Sequence, residues 1–569
     1  MYRTAFLLAG LCLAWLVAAP AGADEAKKRY PKAPDANVPI IPAAWKDAPK
    51  SPATPAEIDR LLEQHLKADK LTASPRVTDE QFVRRVYLDL TGKVPTAAQS
   101  EAFVKDSDPQ KRARLIDALL ASEAFSRHLA KHWRDVMLSR ATSSLVFIRF
   151  PRQSALEQWL FEQFQAKKSL GEISRDLLTA EGGLKLTEPT KNGQVGFLMA
   201  HAQADAAVER ASDTARVFLG IQIQCAQCHD HPSDIWKRQQ FHELTAFFGK
   251  LAERPVFAEP QGQGQQRRIE GFRLAARPFG EYRMPDRDDP KKTYAVQPRF
   301  LTGDAPPPAR TDLDRRKALA KFVTAPDNYW FSAAFANRVW GDLTGQGFYQ
   351  PVDNMGPLQE ATYPDVLFRL AASFRATDYD IRGLYRLVMN TEAYQRQSRV
   401  GDSPGDHLRC TARYPTRMSA DELWDAVASA LGPFPQGPGR GRPGPGGGGP
   451  FRRQFGLAFQ FRQLFDFDPS IKPDEVEGSV PQALMLMNNQ QLNARMKATG
   501  DTPLARVLKD HPQDDKAIEQ VYLRTLGRKP TPREMRRCRE HVKQVGKRAE
   551  AFEDILWALV NSTEFQTKR

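Results

Sequence analysis

The chain has 569 residues, of which 41% are hydrophobic, and a formal net charge of +14. This length exceeds that of a single domain, and the hydrophobic content excludes a chain that is disordered throughout. Only one apolar run, at the N-terminus, approaches the length of a membrane span, which excludes a protein with several spans.

The N-terminal segment 1–23 predicts an export signal. Arg3 precedes an apolar run over residues 5–18, and Ala21-Gly22-Ala23 provides the small residues that a signal peptidase requires. We therefore expect an exported protein of the periplasm or cell surface, with no integral membrane span after cleavage. In that compartment the basic charge favours an anionic envelope polymer or an acidic redox partner over nucleic acid.

The rest of the chain divides into segments of different composition. Prolines and lysines without apolar periodicity predict an extended linker over 24–55. Helical spacing predicts a helical domain over 56–250, and a lapse of that spacing predicts a β-containing or irregular connection over 251–312. A second helical domain is expected over 313–569, interrupted by a flexible Gly/Pro-rich loop at 432–450. The expected fold class is mainly α, with two helical domains joined by a short β-containing segment.

An internal repeat is visible in the sequence. The pattern VYLxxxGxxPT occurs at 86–96 and again at 521–531. Each copy leads into a helix that ends on similar residues, at 119–125 and 559–565, and a shorter echo lies at 387–394. The glycine permits a left-handed helix C-cap, the proline stops the helix and the threonine caps the next one. The pattern therefore predicts helical hairpins of one type.

The strongest chemical signal is CAQCH at residues 225–229. In an exported protein a CxxCH pattern is typical of c-type haem attachment, in which two thiols form thioethers with the porphyrin and the imidazole ligates the iron. Cys225 and Cys228 are the predicted attachment residues, and His229 is the predicted proximal ligand. Their spacing from Val217 predicts one helix that carries both thiols on its apolar face.

The second axial ligand is left open, with His231 and His132 as the candidates and His128, His201 and His242 in the same domain. Two alternatives compete with haem for the CxxCH residues. Thiolates and imidazoles could hold zinc or another transition metal, and an oxidising compartment would permit a disulfide.

The other two cysteines of the mature chain, Cys410 and Cys538, are expected to lie outside this site, either as separate thiols or joined in a disulfide. No catalytic triad, phosphate loop or HExxH pattern marks an active site, so no catalytic residue is assigned. The sequence thus favours electron transfer or redox sensing. The alternatives are an envelope-binding scaffold with a structural metal or disulfide, and a polysaccharide-processing enzyme.

Over 82–92, at His132-Trp133 and over 225–232, the chain resembles the second type of planctomycete cytochrome C-type domain. From residue 314 onward it is similar to the planctomycete-specific domain that follows in that family, for example at Asn337-Arg338-Val339-Trp340 and Pro351-Val352-Asp353. Both are domains of unknown function. The resemblance implies an exported cytochrome-like protein and supports Cys225, Cys228 and His229 as haem-binding residues.

Overall fold

The structure is a computed structural model. It describes residues 32–34, 37–142, 146–186, 188, 190–201, 205–259, 267–277, 280–308, 311–399, 407–434 and 456–569. The expected export signal over 1–23 and most of the expected Gly/Pro-rich loop, from residue 435 to residue 450, lie outside the described residues.

The predicted mainly α fold class is confirmed, with 55% helix and 7% strand. The first ten α-helices are α1 Pro55–Ala68, α2 Asp79–Thr91, α3 Ala97–Lys105, α4 Lys111–Leu120, α5 Glu123–Leu138, α6 Val146–Gln165, α7 Leu170–Leu178, α8 Val195–Leu198, α9 Ala206–Thr214 and α10 Arg238–Thr245. A π-helix at Ala215–Leu219 and short 3-10 helices at Ala43–Asp47, Gln224–Gln227 and Ala246–Phe248 accompany them.

The second half of the chain is also built from helices. They are α11 Asp312–Val323, α12 Tyr329–Thr344, α13 Pro364–Ala376, α14 Ile381–Met389, α15 Glu392–Gln395, α16 Ala420–Leu431, α17 Leu457–Phe465, α18 Val480–Asn488, α19 Gln490–Met496, α20 Pro503–Asp510, α21 Asp514–Leu526, α22 Pro532–Val545, α23 Arg548–Val560 and α24 Thr563–Gln566.

The strands are short and lie mostly between the two helical halves. They are β1 Gly183–Lys185, β2 Leu251–Phe257, β3 Ile269–Ala276, β4 Arg283–Pro285, β5 Thr293–Ala295, β6 Thr416–Arg417 and β7 Thr567–Lys568. The order β1-β3-β2 forms an antiparallel sheet, and β4 pairs with β5. The pairing of β6 with β7 brings the C-terminus back to the start of α16.

The described part of the predicted linker packs against the folded body. Trp45, in the 3-10 helix Ala43–Asp47, is 1% exposed, and its Nε1 donates to the carbonyl of Pro326 at 3.1 Å. Its ring also meets those of Tyr329 and Phe368 edge to face. This tryptophan therefore anchors the segment before α1 to α12 and α13.

Two hydrophobic cores organise the described chain. The first runs from Trp45 to Tyr394 and combines helices of the first half with α11 to α15. The second combines Leu88 and Val94 with side chains between residues 418 and 565. The cores thus divide near residue 400, whereas the sequence pattern places its boundary between 312 and 313.

Both copies of the repeated pattern form the predicted hairpins. Gly92 and Gly527 end α2 and α21 in the left-handed region, at φ values of 66° and 68°. Thr96 and Thr531 then cap α3 and α22, each within a capping box. The shared residues therefore set where each helix ends and the next begins.

The two repeat copies contact each other in space. Arg84, in α2, donates from Nη1 to the carbonyl of Thr525 at 3.1 Å and from Nη2 to the carbonyl of Glu564 at 3.4 Å. Leu88 and Val94 of the first copy belong to the second core. The repeat therefore joins the N-terminal helices to the C-terminal ones.

Candidate functional site

The CxxCH turn, residues 225–229, does not lie on the predicted single helix. The π-helix Ala215–Leu219 ends at Gly220, which adopts a φ of 69°, and a separate 3-10 helix begins at Gln224. A Cβ at Gly220 would lie 2.5 Å from the sulfur of Met355, so glycine is required by the close approach as well as by φ. The expectation of one continuous helix was wrong, because Gly220 ends the π-helix before the cysteines are reached.

Buried and exposed residues are interspersed over 221–228, and both thiols are at exposed positions. Ile221, Ile223 and Ala226 are each no more than 1% exposed. Cys225 and Cys228 are exposed and unpaired. The prediction that both thiols share an apolar, core-facing stripe is therefore wrong, because aliphatic side chains occupy the core positions. Exposure leaves both sulfurs accessible to a covalent partner.

His229 keeps one ring nitrogen available. Its Nδ1 lies 2.7 Å from the carbonyl oxygen of Asp230, so Nδ1 carries the proton and donates. In the neutral imidazole the lone pair is then on Nε2, which has no hydrogen bond within the described part of the chain. This is the tautomer in which a histidine can ligate a metal through Nε2 while a backbone carbonyl orients the ring.

His231 is held by its own backbone surroundings. It is 7% exposed, its Nδ1 accepts from the backbone N–H of Ser233 at 3.3 Å, and its ring also hydrogen-bonds the backbone of Gln222. Burial lowers the pKa of His231, which keeps the imidazole neutral. Of the two candidates for the second ligand, His231 is the one that follows the CxxCH turn directly, and its Nδ1 is already engaged.

His242 lies beside the CxxCH turn in a fixed neutral form. Its Nε2 donates to the carbonyl of Gln227 at 3.0 Å, so its Nδ1 accepts from the hydroxyl of Tyr282 at 2.7 Å. Burial lowers the pKa of His242 to about 4 and raises the pKa of Tyr282 to about 12. His242 thus supports the backbone between the two cysteines. Sequence reasoning missed Tyr282, which lies in the irregular connection without any motif.

A cleft of about 640 Å³ opens next to Cys228 and His242. Such a volume falls within the range of pockets that enclose cofactors and drug-sized ligands, about 300–1,000 Å³. Val208 and Leu251 contribute apolar surface to it. Five arginines also line the cleft, Arg210, Arg238, Arg277, Arg283 and Arg287, against three carboxylates, Asp205, Glu253 and Asp286, so basic groups are in excess. The cleft can therefore receive a ligand that has both an apolar body and acidic groups.

The second half of the chain holds the CxxCH segment in place. Gln222 donates from Nε2 to Asp353 Oδ1 at 2.6 Å, and the backbone N–H of Met355 donates to the carbonyl of Gly220 at 2.8 Å. Further along, Gln359 donates from Nε2 to the carbonyl of Ser233 at 3.0 Å. The loop after α12 therefore fixes the backbone on both sides of the CxxCH turn.

Two residues of the family motifs take part in this support. Arg338 donates from Nη2 to the carbonyl of Arg216 in the π-helix at 3.3 Å. Asp353 has no exposed surface and accepts from Arg140 Nη2 at 3.2 Å in addition to Gln222. The second domain thus contributes groups that position the CxxCH turn of the first.

His132, the other candidate second ligand, lies in α5 and lines a different cavity from the one beside Cys228. Its Nε2 is 2.9 Å from Asp342 Oδ2 in α12. His128, one turn earlier, lies 3.6 Å from Glu422. His201 is buried between Asp213, at 2.7 Å from its Nε2, and Thr142. The structure therefore does not bring His132 or His201 to the cleft that Cys228 lines.

The described cysteines, four in number, form no disulfide. Cys410 packs against the first core and Cys538 belongs to the second, where its sulfur lies 3.8 Å from the hydroxyl of Tyr522. Burial raises the pKa of the Cys410 thiol to about 12. Among the described residues there is also no group of three or more His, Cys, Asp or Glu side chains arranged to hold a metal ion.

None of the helices within the described ranges is both long enough and apolar enough to cross a membrane.

Family comparisons agree with the two-part organisation. Residues 57–253 match the family model PSCyt2, described as a protein of unknown function (DUF1549), and residues 315–441 match PSD1, also described as a protein of unknown function (DUF1553). Searches of curated proteins and of solved structures gave no match. The first match includes the CxxCH turn, and the second includes the loop that supports it. The chain therefore carries one region that matches the PSCyt2 model and, after it, one that matches the PSD1 model.

Proposed function

We propose that the protein is exported and carries one covalently attached c-type haem, which it uses for electron transfer or redox sensing. The observation that carries the proposal is the CxxCH turn itself, in which two exposed, unpaired thiols precede a histidine with an available Nε2. Thioether formation requires accessible thiols, and axial ligation requires an unprotonated ring nitrogen.

The residues present fit such a group in three respects. Cys225 and Cys228 would hold the porphyrin, and His229 would ligate the iron through Nε2. The cleft beside Cys228 has the volume for a macrocycle, and its arginines suit the two propionates. When bound, the haem would supply a one-electron redox centre.

The surroundings of the CxxCH turn are suited to a fixed redox centre. Asp353 and Met355 hold the backbone before the cysteines through hydrogen bonds from Gln222 and to Gly220. His242 holds the carbonyl of Gln227 between them. Because these contacts come from two separate parts of the chain, the loop after α12 and helix α10, the attachment residues are pre-organised rather than placed on a mobile loop.

The arginines of the cleft also bear on the partner. Arg277, Arg283 and Arg287 are exposed at this site. An exposed positive surface beside a redox centre attracts an acidic redox protein or an anionic envelope polymer, and it does so more weakly as salt rises. We infer a partner of this charge in the periplasm or at the cell surface.

The test is expression of the full chain in a host with a cytochrome c maturation system. Because thioether bonds survive denaturation, we expect haem to stay with the protein on a denaturing gel and to give peroxidase staining. The double variant Cys225→Ser with Cys228→Ser should lose covalent haem. His229→Ala should change the iron spectrum or block maturation.

The matched control removes the same number of thiols elsewhere. Cys410→Ser with Cys538→Ser should keep the full haem content, because these residues lie in the two hydrophobic cores. Protein from the native host without covalent haem would disprove the proposal. A metal assay and thiol titration of that sample would then distinguish bound zinc from a disulfide.

A further inference from the structure

A second cavity lies between α5, the end of α12 and the start of α16, and we call it the interdomain crevice. It has a volume of about 100 Å³ and shares no lining residue with the cleft beside Cys228. Residues of both domains line it, among them His132 from α5, Asp342 from α12 and Thr416 from β6. Lys568, from the C-terminal strand β7, completes it.

Four polar atoms of the side chains that line this crevice have no hydrogen-bond partner among the described residues. They are His132 Nε2, Asp342 Oδ2, Gln350 Nε2 and Thr416 Oγ1, each of which is buried. The first two face each other at 2.9 Å as an ion pair, without a hydrogen bond. Buried polar atoms are nearly always paired in folded proteins, so several unpaired atoms around one cavity indicate that a polar molecule occupies it.

The hydrogen-bonding capacity of these atoms indicates what kind of ligand the crevice can bind. The amide nitrogen of Gln350 can only donate and an ionised Asp342 can only accept, whereas the hydroxyl of Thr416 can do both. A ligand that serves all of them must present donors and acceptors close together. Neighbouring hydroxyl groups do this, because each hydroxyl is both a donor and an acceptor.

Most charged side chains around the crevice already face a protein partner, and Asp342 itself lies 2.9 Å from His132. Lys568 Nζ lies 3.1 Å from Glu422. Asp421 accepts from Arg134 Nη2 at 2.7 Å, and Lys131 Nζ lies 3.1 Å from Asp425. With these pairs formed, an added full charge on the ligand would lack a counter-charge. A neutral ligand is therefore favoured over an anion or a cation.

The volume and lining of the crevice further limit which ligands it can hold. A volume of about 100 Å³ is below the usual range for drug-sized ligands, about 300–1,000 Å³, which excludes a macrocycle or a nucleotide here. Pro469, Ile471 and Val476 form an apolar side of the crevice. Small molecules with several hydroxyls on one face and C–H groups on the other match this combination.

We propose that the interdomain crevice binds a neutral polyhydroxylated molecule, either a short polyol or the terminal ring of a neutral saccharide. His132, Asp342, Gln350 and Thr416 bind its hydroxyl groups. The site is independent of the haem proposal, since it uses none of the CxxCH residues and none of the cleft beside them.

The test is ligand-observed NMR, by saturation transfer from the full chain to a panel of neutral probes. The panel contains hexoses, pentoses, deoxyhexoses and alditols, with glucuronate and glucosamine as charged analogues of a hexose. We expect at least one neutral probe to bind and both charged analogues to bind more weakly. The proposal is overturned if no neutral probe binds, because water alone then fills the crevice, or if a charged analogue binds as tightly.

Variants locate the binding. Thr416→Val keeps the side-chain volume and removes the hydroxyl, and Asp342→Asn keeps the shape and removes the charge. Each should weaken binding of the best probe about tenfold, the usual effect of losing one hydrogen bond in a buried site. If one variant fails to fold, the other still gives the measurement.

The matched control is Ser100→Ala, which removes another buried hydroxyl without a partner, in α3 and outside the crevice. It should bind the probe as tightly as the wild type. Equal binding by Thr416→Val and wild type, or equal loss in Ser100→Ala, would place the ligand elsewhere and overturn the proposal. Either result leaves the haem test unaffected.

Discussion

Removal of one carboxylate, by Asp89→Asn, should destabilise the protein far more than the same change at Asp515. Both carboxylates form a bidentate pair with an arginine. Arg413 donates to the two oxygens of Asp89 at 2.7 and 3.0 Å, and Arg539 donates to those of Asp515 at 2.6 and 2.6 Å. The two pairs therefore have the same chemistry and nearly the same geometry.

Burial distinguishes the two pairs. The side chains of Arg413 and Asp89 are 0% and 1% exposed, whereas those of Arg539 and Asp515 are 53% and 51% exposed. Asp89 also accepts a hydrogen bond from the hydroxyl of Tyr394 at 3.0 Å. Asp89→Asn would thus leave a buried guanidinium without a counter-charge.

The expected magnitude follows from that burial. Breaking a buried ion pair by removing one partner costs about 3–5 kcal/mol, because the remaining charge stays desolvated. At Asp515 water and salt replace the lost partner, so the change should fall within the error of the measurement.

Urea unfolding followed by circular dichroism measures the difference. We expect Asp89→Asn to lower the urea midpoint with the slope unchanged, and Asp515→Asn to leave both values as in the wild type. Equal midpoints for the two variants would refute the reasoning, since burial would then not control the strength of the pair.

Three further predictions concern the site. Gly220→Ala should destabilise the protein more than Gly546→Ala: both glycines have φ near 70°, but only at Gly220 does a Cβ meet a neighbour, a methionine sulfur at 2.5 Å. Equal urea midpoints would contradict this. Burial lowers the pKa of His242 to about 4. Between pH 6.5 and pH 4, therefore, His242 binds a proton in the unfolded chain but stays neutral in the folded chain. Stability should therefore fall from pH 6.5 to pH 4, and the fall should be smaller in His242→Gln; an equal fall would exclude His242 as its source. In the apoprotein Cys225 and Cys228 should react quickly with a thiol reagent, the half-buried Cys410 much more slowly because burial raises its pKa to about 12, and the buried Cys538 only after denaturation. Four fast thiols would contradict the described burial.

Sequence alone was sufficient where structure depends on neighbouring residues. The mainly α class, the hairpins at Gly92 and Gly527 and the caps at Thr96 and Thr531 were predictable, because a cap is decided by contacts within about four residues. The residues of the two family domains were recognisable for a similar reason, since their motifs are short and contiguous.

The helix predicted through the CxxCH turn shows where local pattern fails. The apolar spacing of Val217 and Ile221 fits a helix, but a buried residue in the π-helix and a buried residue in the loop after it produce the same spacing. The close approach of Met355, 135 positions beyond Gly220 (355 − 220), helps to decide that the helix ends. No sequence pattern near the cysteines records that contact.

Sequence by itself determined which residues are the candidates for the chemistry, namely two thiols and an imidazole at 225–229. Only the tertiary structure decided that the thiols are exposed, that His229 keeps Nε2 available and that the nitrogens of His242 are both engaged. It also created the interdomain crevice, where His132 meets Asp342. The physical reason is that protonation, exposure and hydrogen-bond partners depend on groups distant in sequence, which only the packing of the two domains brings together.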